Sequence, residues 1–423
     1  MPKVDDLLEE FPENSRRQLL AMWQAVPAAM QSELQGAVQL LPGDVKLWRM
    51  LLGMALAQFK IALGNKHSVA IVGPANAGKS TLYNQLVRAP SDRAVVSPVP
   101  GTTRQNQSAD AGLFSVVDTP GADAVGQVGE DEKGRALNAA AAADFLVVVF
   151  DAGPGIRVGE QDLYREFAAL DKPMLVVLNK IDLVRRDQKK VVERAAANLG
   201  LEAGEVVPIS ARDGTNVERV LVAIAKTEPE IVAALARALP EYRWRLAWTA
   251  ITGAASTAAV IALAPLPILD VIPLLAIQSA LVLSIARIYQ YQITLKRARE
   301  LVITFGLGFL GRTLFQELSK LGGPPGWLLA AAIASSTTAV MGYAAILWFE
   351  RGERLTGDSL KEITKSVTGY LIESMRSLGQ HKPDRQSLQE RVSEALAKSP
   401  LVADQAAFDA AAKPGEESME KHE

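Results

Sequence analysis

Eight consecutive residues constrain this chain more than any others. Gly73, Pro74, Ala75, Asn76, Ala77, Gly78, Lys79 and Ser80 spell G-x-x-x-x-G-K-S, directly after the apolar run SVAIV and directly before TLYNQLV, which opens with Thr81 and has helical character. A strand that turns sharply into a helix gathers backbone N–H groups and a helix N-terminus at one point, an arrangement suited to phosphate. The glycines let the backbone wrap closely. Lys79 supplies a point charge for β and γ phosphate groups, and the Ser80 hydroxyl is an oxygen ligand suited to magnesium.

The neighbouring sequence supplies the rest of such a site. VAIVG, FSVVD, FLVVVFD, MLVVLN and VVPIS are short apolar runs separated by helix-length segments, the rhythm of an α/β fold with a mostly parallel sheet covered on both faces. Asp118, Thr119, Pro120 and Gly121 close the second run; they place a carboxylate where it can orient magnesium-bound water and a glycine N–H where it can meet a γ-phosphate. Pro100, Gly101, Thr102, Thr103 and Arg104 lie in a stretch expected to close over the nucleotide, with Thr103 completing the magnesium shell. Asn179, Lys180, Ile181 and Asp182 follow the strand MLVVL. A carboxylate there can accept two hydrogen bonds from the N1–H and N2–H₂ of guanine, a pair that adenine does not offer. Ser210 and Ala211 follow VVPI, where a backbone N–H is expected to meet the guanine carbonyl oxygen. Guanine nucleotides, GTP and GDP, are therefore the expected ligands.

Composition narrows the alternatives. The 423 residues are too many for a bare nucleotide-binding domain and leave room for two or three folding units. The net charge of −2, with no long block of either sign, gives no electrostatic footprint for a polyanion, so no nucleic-acid partner is expected. The absence of cysteine excludes disulfides and thiolate chemistry. His67, His381 and His422 are far apart in sequence and read as surface residues rather than ligands.

The expected organisation is an N-terminal helical segment (1–66), the α/β domain (67–227), an all-helical domain (228–400) and a polar tail (401–423). Residues 12–64 read as helix, broken near Pro27, with Val45, Trp48, Leu52, Leu56, Phe59 and Leu63 at spacings of three and four and Gly64 at the end. The acidic start MPKVDDLLEEF does not read as a secretory signal, and the N-terminus is expected to stay in the cytosol. In the helical domain, 246–289 reads as an apolar hairpin with Asp270, Pro265, Pro267 and Pro273 at its tip, and 325–349 as an apolar helix bracketed by Trp327 and Trp348. Residues 359–378 read as amphipathic, with Leu360, Ile363, Val367, Leu371, Met375 and Leu378 on one face. Two readings of the apolar helices stand: association with a membrane, favoured by length, or a soluble bundle, favoured by the many alanines, serines and threonines and by Gln278.

GPANAGKST, PGTTR, DTPG, NKID and SAR stand in register over residues 68–226, and this block resembles the translation-factor-related GTPases of the group containing Era, TrmE, EngA and the septins. The resemblance implies GTP hydrolysis with magnesium, and a potassium ion held by Asn76 whose charge supports the transition state. It implies catalytic roles for Lys79, Thr103 and Gly121. Ala122 stands where many small GTPases carry a glutamine that positions water, so slow intrinsic turnover is expected; Gln105 stands where the family usually has aspartate. The segment ALAPLPILDVIPLLAIQSALVLSIARIYQ resembles the helical domain of unknown function found after such GTPase domains and in YcjF-like inner-membrane proteins.

Three functions are compatible with this reading. The first is a regulatory switch whose GTPase domain is cytoplasmic and associated with the inner face of a membrane, through lipid or a membrane protein. The second is a soluble assembly GTPase for the ribosome or RNA, and the third a membrane scaffold in which GTP drives formation of a homo-oligomer.

Overall fold

The computed structural model describes residues 54, 58–64, 66, 68–87, 107–108, 113–117, 127–184, 186–263, 271–291, 325–353, 355–379, 381 and 383–402. Leu63–Thr249 form one compact unit, and the described residues before and after it belong to a second.

In the first unit the apolar runs become strands: β1 (Val69–Val72), β2 (Gln107–Ser108), β3 (Phe114–Val116), β4 (Phe145–Asp151), β5 (Met174–Asn179) and β6 (Val206–Pro208). They form one sheet in the order β2-β3-β1-β4-β5-β6, parallel throughout except for β2, which pairs antiparallel with β3. Between them lie α1 (Lys79–Leu86), α2 (Gln127–Ala142), α3 (Val158–Ala168), α4 (Gln188–Leu199) and α5 (Val217–Thr227). Apolar residues, valine foremost, dominate β1, β4 and β5, and β1 is buried along its whole length, as expected of a parallel sheet with both faces covered. Phe114, Phe145, Phe150 and Phe167 are among the largest side chains buried in this core.

The chain passes from β1 to β3 on one side and then returns across β1 to β4 on the other. Such a reversal opens a crevice at the carboxyl ends of the strands, where α/β sheets bind ligands. The segments following β1, β4 and β5 all emerge at that edge.

The entry and exit of the unit are tied together. Gly64 packs so closely against the Glu230 backbone that a Cβ there would stand 2.3 Å from the Glu230 carbonyl oxygen. Lys66 Nζ donates to Glu228 Oε2 at 2.6 Å, and Ser68 donates from both N and Oγ to Asp144 Oδ2. The Glu228 hydrogen bond and charge hold the Lys66 ammonium above its ordinary 10.5, against a smaller opposing effect of burial. Beyond α5 come a short helix α6 (Val232–Ala238) and α7 (Arg243–Ala262).

The helical unit contains α8 (Val271–Ile288), α9 (Gly326–Arg351), α10 (Gly357–Met375) and α11 (Arg385–Ala397). Extensive packing runs from α8 to α9, from α9 to α10 and from α10 to α11. The expected hairpin 246–289 is helical in both arms, but the second arm packs chiefly on α9 rather than on α7. Pro273 lies in the first turn of α8, where a missing N–H costs nothing, instead of at a tip; Pro265, Pro267 and Asp270 are outside the described residues. Gly352 (φ 71°) ends α9 by donating to Leu347 and Trp348 carbonyls, and Thr356 starts α10 by accepting the Ser359 N–H at 3.2 Å.

Among the described residues α9 alone is long and apolar enough to cross a membrane, and 94% of its apolar stretch is buried within the protein. Its close neighbours explain part of this. Gly342 sits where a Cβ would stand 2.5 Å from Ile251 Cγ1 and 3.1 Å from Leu281 Cδ2, so α9 can meet α7 and α8 closely only with glycine there. In α10, Leu360, Val367, Leu371 and Met375 are buried as their spacing predicts, Ile363 only half so, and Thr364 and Thr368 are buried with them; Leu378, half-buried, lies beyond α10 in a 3₁₀ turn (Arg376–Leu378). The helix reading of the N-terminal segment is testable only at its end, where Phe59–Leu63 is helical and followed by Gly64; the remainder, including Val45, Trp48, Leu52 and Leu56, lies outside the described residues.

Candidate functional site

The loop Gly73–Gly78 joins β1 to α1 by closely approaching backbone on both sides. At Gly73 (φ 142°) a Cβ would stand 2.2 Å from the Val149 carbonyl oxygen of β4, and at Gly78 (φ 89°) it would stand 2.2 Å from Asn179 Nδ2. Any side chain at either position would collide with the frame of the loop, so glycine here is a packing requirement as well as a conformational one. Asn76 is exposed and left-handed (φ 63°), a conformation asparagine tolerates better than most residues. Ala77 is buried.

Lys79, at the first position of α1, is 2% exposed, and its ammonium donates to the carbonyls of Gly73 at 2.7 Å and Pro74 at 2.6 Å. The loop thus encloses a cation at the N-terminus of a helix, an electrostatic complement to an anion with several oxygens. Ser80 and Thr81 follow in the same first turn, both half-buried. The hydroxyl of Ser80 is a hard oxygen donor of the type magnesium takes, and the side-chain carbonyl of Asn76 is one that potassium takes; the donor chemistry of both residues fits. Thr103, Asp118 and Gly121, with the stretches around them, lie outside the described residues.

Asn179, the last residue of β5, is 2% exposed and braces two loops at once. Its Nδ2 donates to the Ala77 carbonyl at 2.8 Å, and its Oδ1 accepts the Ala211 N–H at 2.9 Å. The phosphate loop, the end of β5 and the segment after β6 are thereby one rigid corner. The sequence reading expects a backbone N–H of the Ser210–Ala211 segment at a guanine oxygen; in this structure the Ala211 N–H serves the Asn179 carboxamide. The Ser210 N–H donates to Thr215 O at 3.0 Å, so both amides of the Ser-Ala pair hold the corner in shape. Asp213, fully exposed, is held below the usual carboxylate range chiefly by the Thr215 hydroxyl.

Two residues beyond Lys180, Asp182 lies in the short 3₁₀ turn Ile181–Val184. Its Oδ1 is buried and has no hydrogen-bond partner among the described residues. Lys180, left-handed at φ 63°, turns its ammonium to Asp151 Oδ2 at 2.5 Å. Sequence reasoning missed Asp151. Its position at the end of FLVVVFD, aligned with the strand that ends in Asn179, was the available signal.

The structure therefore brings together Gly73, Asn76, Ala77, Gly78, Lys79, Ser80, Thr81, Asn179, Lys180, Asp182, Ser210 and Ala211 along the loops at one end of the sheet. A buried ammonium on a helix N-terminus, a braced asparagine and a buried acceptor without a donor make an arrangement able to take a phosphorylated group at one end and a donor-bearing ring at the other.

Comparison with known proteins agrees. Residues 68–180 match the family model described as 50S ribosome-binding GTPase, and residues 228–374 match a domain of unknown function, DUF697. The tRNA modification GTPase MnmE of Synechocystis is 39% identical over 165 residues, covering 35% of this chain and 35% of that protein. The GTPase Der of Saccharophagus degradans is 33% identical over 177 residues, covering 39% of this chain and 35% of that protein. The chain thus spans about a third of the length of these relatives. Among solved structures, Aquifex aeolicus Era bound to GDP and AlF4⁻ is 31% identical, covers 38% of this chain and 56% of its own, and has a TM-score of 0.33. The chain carries a GTPase domain of the type found in MnmE and Der, followed by a DUF697 domain.

Proposed function

We propose that this protein binds GTP and hydrolyses it to GDP and phosphate, and that nucleotide state controls its helical domain. The observation that carries the reading is Asp182: its Oδ1 is buried without a partner among the described residues, beside a corner whose Asn179 carboxamide is engaged at both ends. A buried acceptor without a donor is costly, and the N1–H and N2–H₂ of guanine are donors of the right kind. In this reading Gly73–Thr81 cradle the phosphates, Lys79 offsets their charge, and Asn179 and Ala211 shape the base pocket. Ser80, with Thr103 and Asp118, would hold magnesium, which when bound neutralises charge on the phosphates. Asn76 would hold potassium, which when bound would supply positive charge to the transition state. Attack of water on the γ-phosphorus with loss of the bond to the β-phosphate oxygen then gives the two products.

Titration calorimetry of the full chain with GTP, GDP and ATP in magnesium tests binding, and phosphate release in potassium against sodium tests turnover. Tight binding of GDP, no measurable binding of ATP and faster release in potassium are expected. Equal affinity for ATP would overturn the base assignment, and equal rates in the two salts the potassium site.

For the helical domain we propose association with the inner face of a membrane, with the GTPase domain in the cytoplasm. The length and composition of α9 support it. Alkaline carbonate extraction of membranes from cells making the full chain tests insertion: retention in the pellet supports it, and full release means a peripheral or soluble helical bundle and raises the assembly reading. The name of the matched family model, 50S ribosome-binding GTPase, favours a second reading, a ribosome-assembly factor, which predicts nucleotide-dependent co-sedimentation with ribosomal subunits. A nucleotide-dependent homo-oligomer on liposomes would instead indicate a scaffold.

A further inference from the structure

We infer that Asp151 is a positioning residue for the base pocket: it stretches the Lys180 side chain past Gly78 and fixes it there as a wall. The inference rests on the reading of this site as a guanine-nucleotide site and names a residue that the sequence motifs of the site do not include.

Asp151 ends β4 and Asn179 ends β5, and the two are paired in register. The backbone joins them directly, because the Ala152 N–H donates to the Asn179 carbonyl at 2.9 Å. The Asp151 carboxylate is then held by both oxygens. Oδ1 accepts the Gly153 N–H at 2.8 Å, which fixes the carboxylate to its own turn, and Oδ2 accepts Lys180 Nζ at 2.5 Å. Lys180 is a non-glycine residue in the left-handed region, and its Cε lies 4.0 Å from where a Cβ on residue 78 would stand. Its stem therefore runs alongside the end of the phosphate loop, between that loop and the turn that carries Asp182.

Conformations of this kind persist where the surroundings over-determine them. The surroundings here are the pairing of β4 with β5 at one end of the residue and the Asp151 carboxylate at the other. As an ion pair, 31% and 20% exposed in its side chains, the contact is of a type that contributes little to stability. Its effect lies in order. A free lysine would lose the freedom of four rotatable bonds on packing against a ligand, whereas one already held loses little, and the difference reads out as affinity.

Two variants separate this role from that of a structural tie between strands. Asp151→Asn keeps an acceptor for the Gly153 N–H but removes the charge that holds Lys180; Lys180→Met keeps most of the stem but removes its head. Titration of fluorescent GDP into the full chain with magnesium, competed by unlabelled GDP and IDP, should show Asp151→Asn weakening both nucleotides about tenfold and to the same degree, because a wall does not read the 2-amino group. Lys180→Met should weaken them similarly, and the double variant should be no worse than the more affected single variant. Wild-type affinity in Asp151→Asn, a lowered melting temperature with unchanged affinity, or effects that multiply in the double variant would each overturn the inference. Wild-type protein that binds no GDP would overturn the site reading itself. Tight wild-type binding that Asp151→Asn leaves untouched would overturn only the role of Asp151.

Discussion

Asn179 donates from Nδ2 to the Ala77 carbonyl at 2.8 Å, so the residue that ends the fifth strand holds the loop that follows the first. The same carboxamide accepts the Ala211 N–H, which makes it the hub of the corner.

Replacing Asn179 with alanine should therefore leave a buried carbonyl and a buried amide without partners. A loss of about 2–4 kcal/mol is expected, from roughly 1–3 kcal/mol for each unsatisfied group with partial relaxation. Thermal denaturation without nucleotide should show the fall directly. An unchanged melting temperature would mean that the brace contributes nothing to the fold.

Asp182→Asn should weaken GDP by about 3 kcal/mol, roughly 100-fold, while improving xanthosine diphosphate, whose ring presents acceptor and donor positions that suit an amide. Competition binding with both nucleotides measures the exchange. Unchanged preference for guanine would remove Asp182 from the base pocket.

Gly342→Val should lower the melting temperature of the helical unit, because its Cβ would stand 2.5 Å from Ile251 Cγ1. Overpacking of this kind costs about 1–3 kcal/mol. Adding Ile251→Ala should restore part of the loss. If the double variant melts lower than Gly342→Val alone, the crowding is not at Ile251.

The Lys66 and Glu228 pair carries a pH signature. Because the folded protein holds the Lys66 ammonium above its ordinary 10.5, the contribution is complete below that value and is lost as pH rises through the raised one. Lys66→Met should be less stable than wild type at pH 7, by about 1 kcal/mol for a pair so little exposed, and the difference should shrink above pH 10.5. Chemical denaturation at pH 7 and in the alkaline range checks the direction; a gap that widens with pH contradicts it.

The parallel core and phosphate loop were legible because their signals are local. Glycines at fixed spacing and runs such as VAIV and FLVVVFD need no partner to be read. β2 was not legible: Gln107 and Ser108 form no apolar run, and their strand is defined only by antiparallel pairing with Ser115 and Val116 of β3. Asp151 was missed for a related reason, since an aspartate after an apolar strand reads as a strand end until the register sets it against the Asn179 position. The destination of the Ala211 N–H likewise depends on a side chain 32 residues away. In α10 the apolar spacing marks the buried face, and Thr364 and Thr368, which that spacing does not include, are buried with it. Each closes its hydroxyl on a carbonyl four residues back, at 2.6 and 2.7 Å, and is buried without loss.

The same habit governs α9. Ser335, Thr337 and Thr338 return their hydroxyls to Ala331, Ile333 and Ala334 on their own helix. Among the described residues, the 2.6 Å contact of Ser336 with Thr368 is the hydroxyl bridge from α9 to α10. A helix that meets its own polar requirements is indifferent to the medium around it, whether side chains, acyl tails or a second copy. Exchanging one environment for another would leave nearly all of its internal bonding intact, so shape and apolar area alone would set the preference.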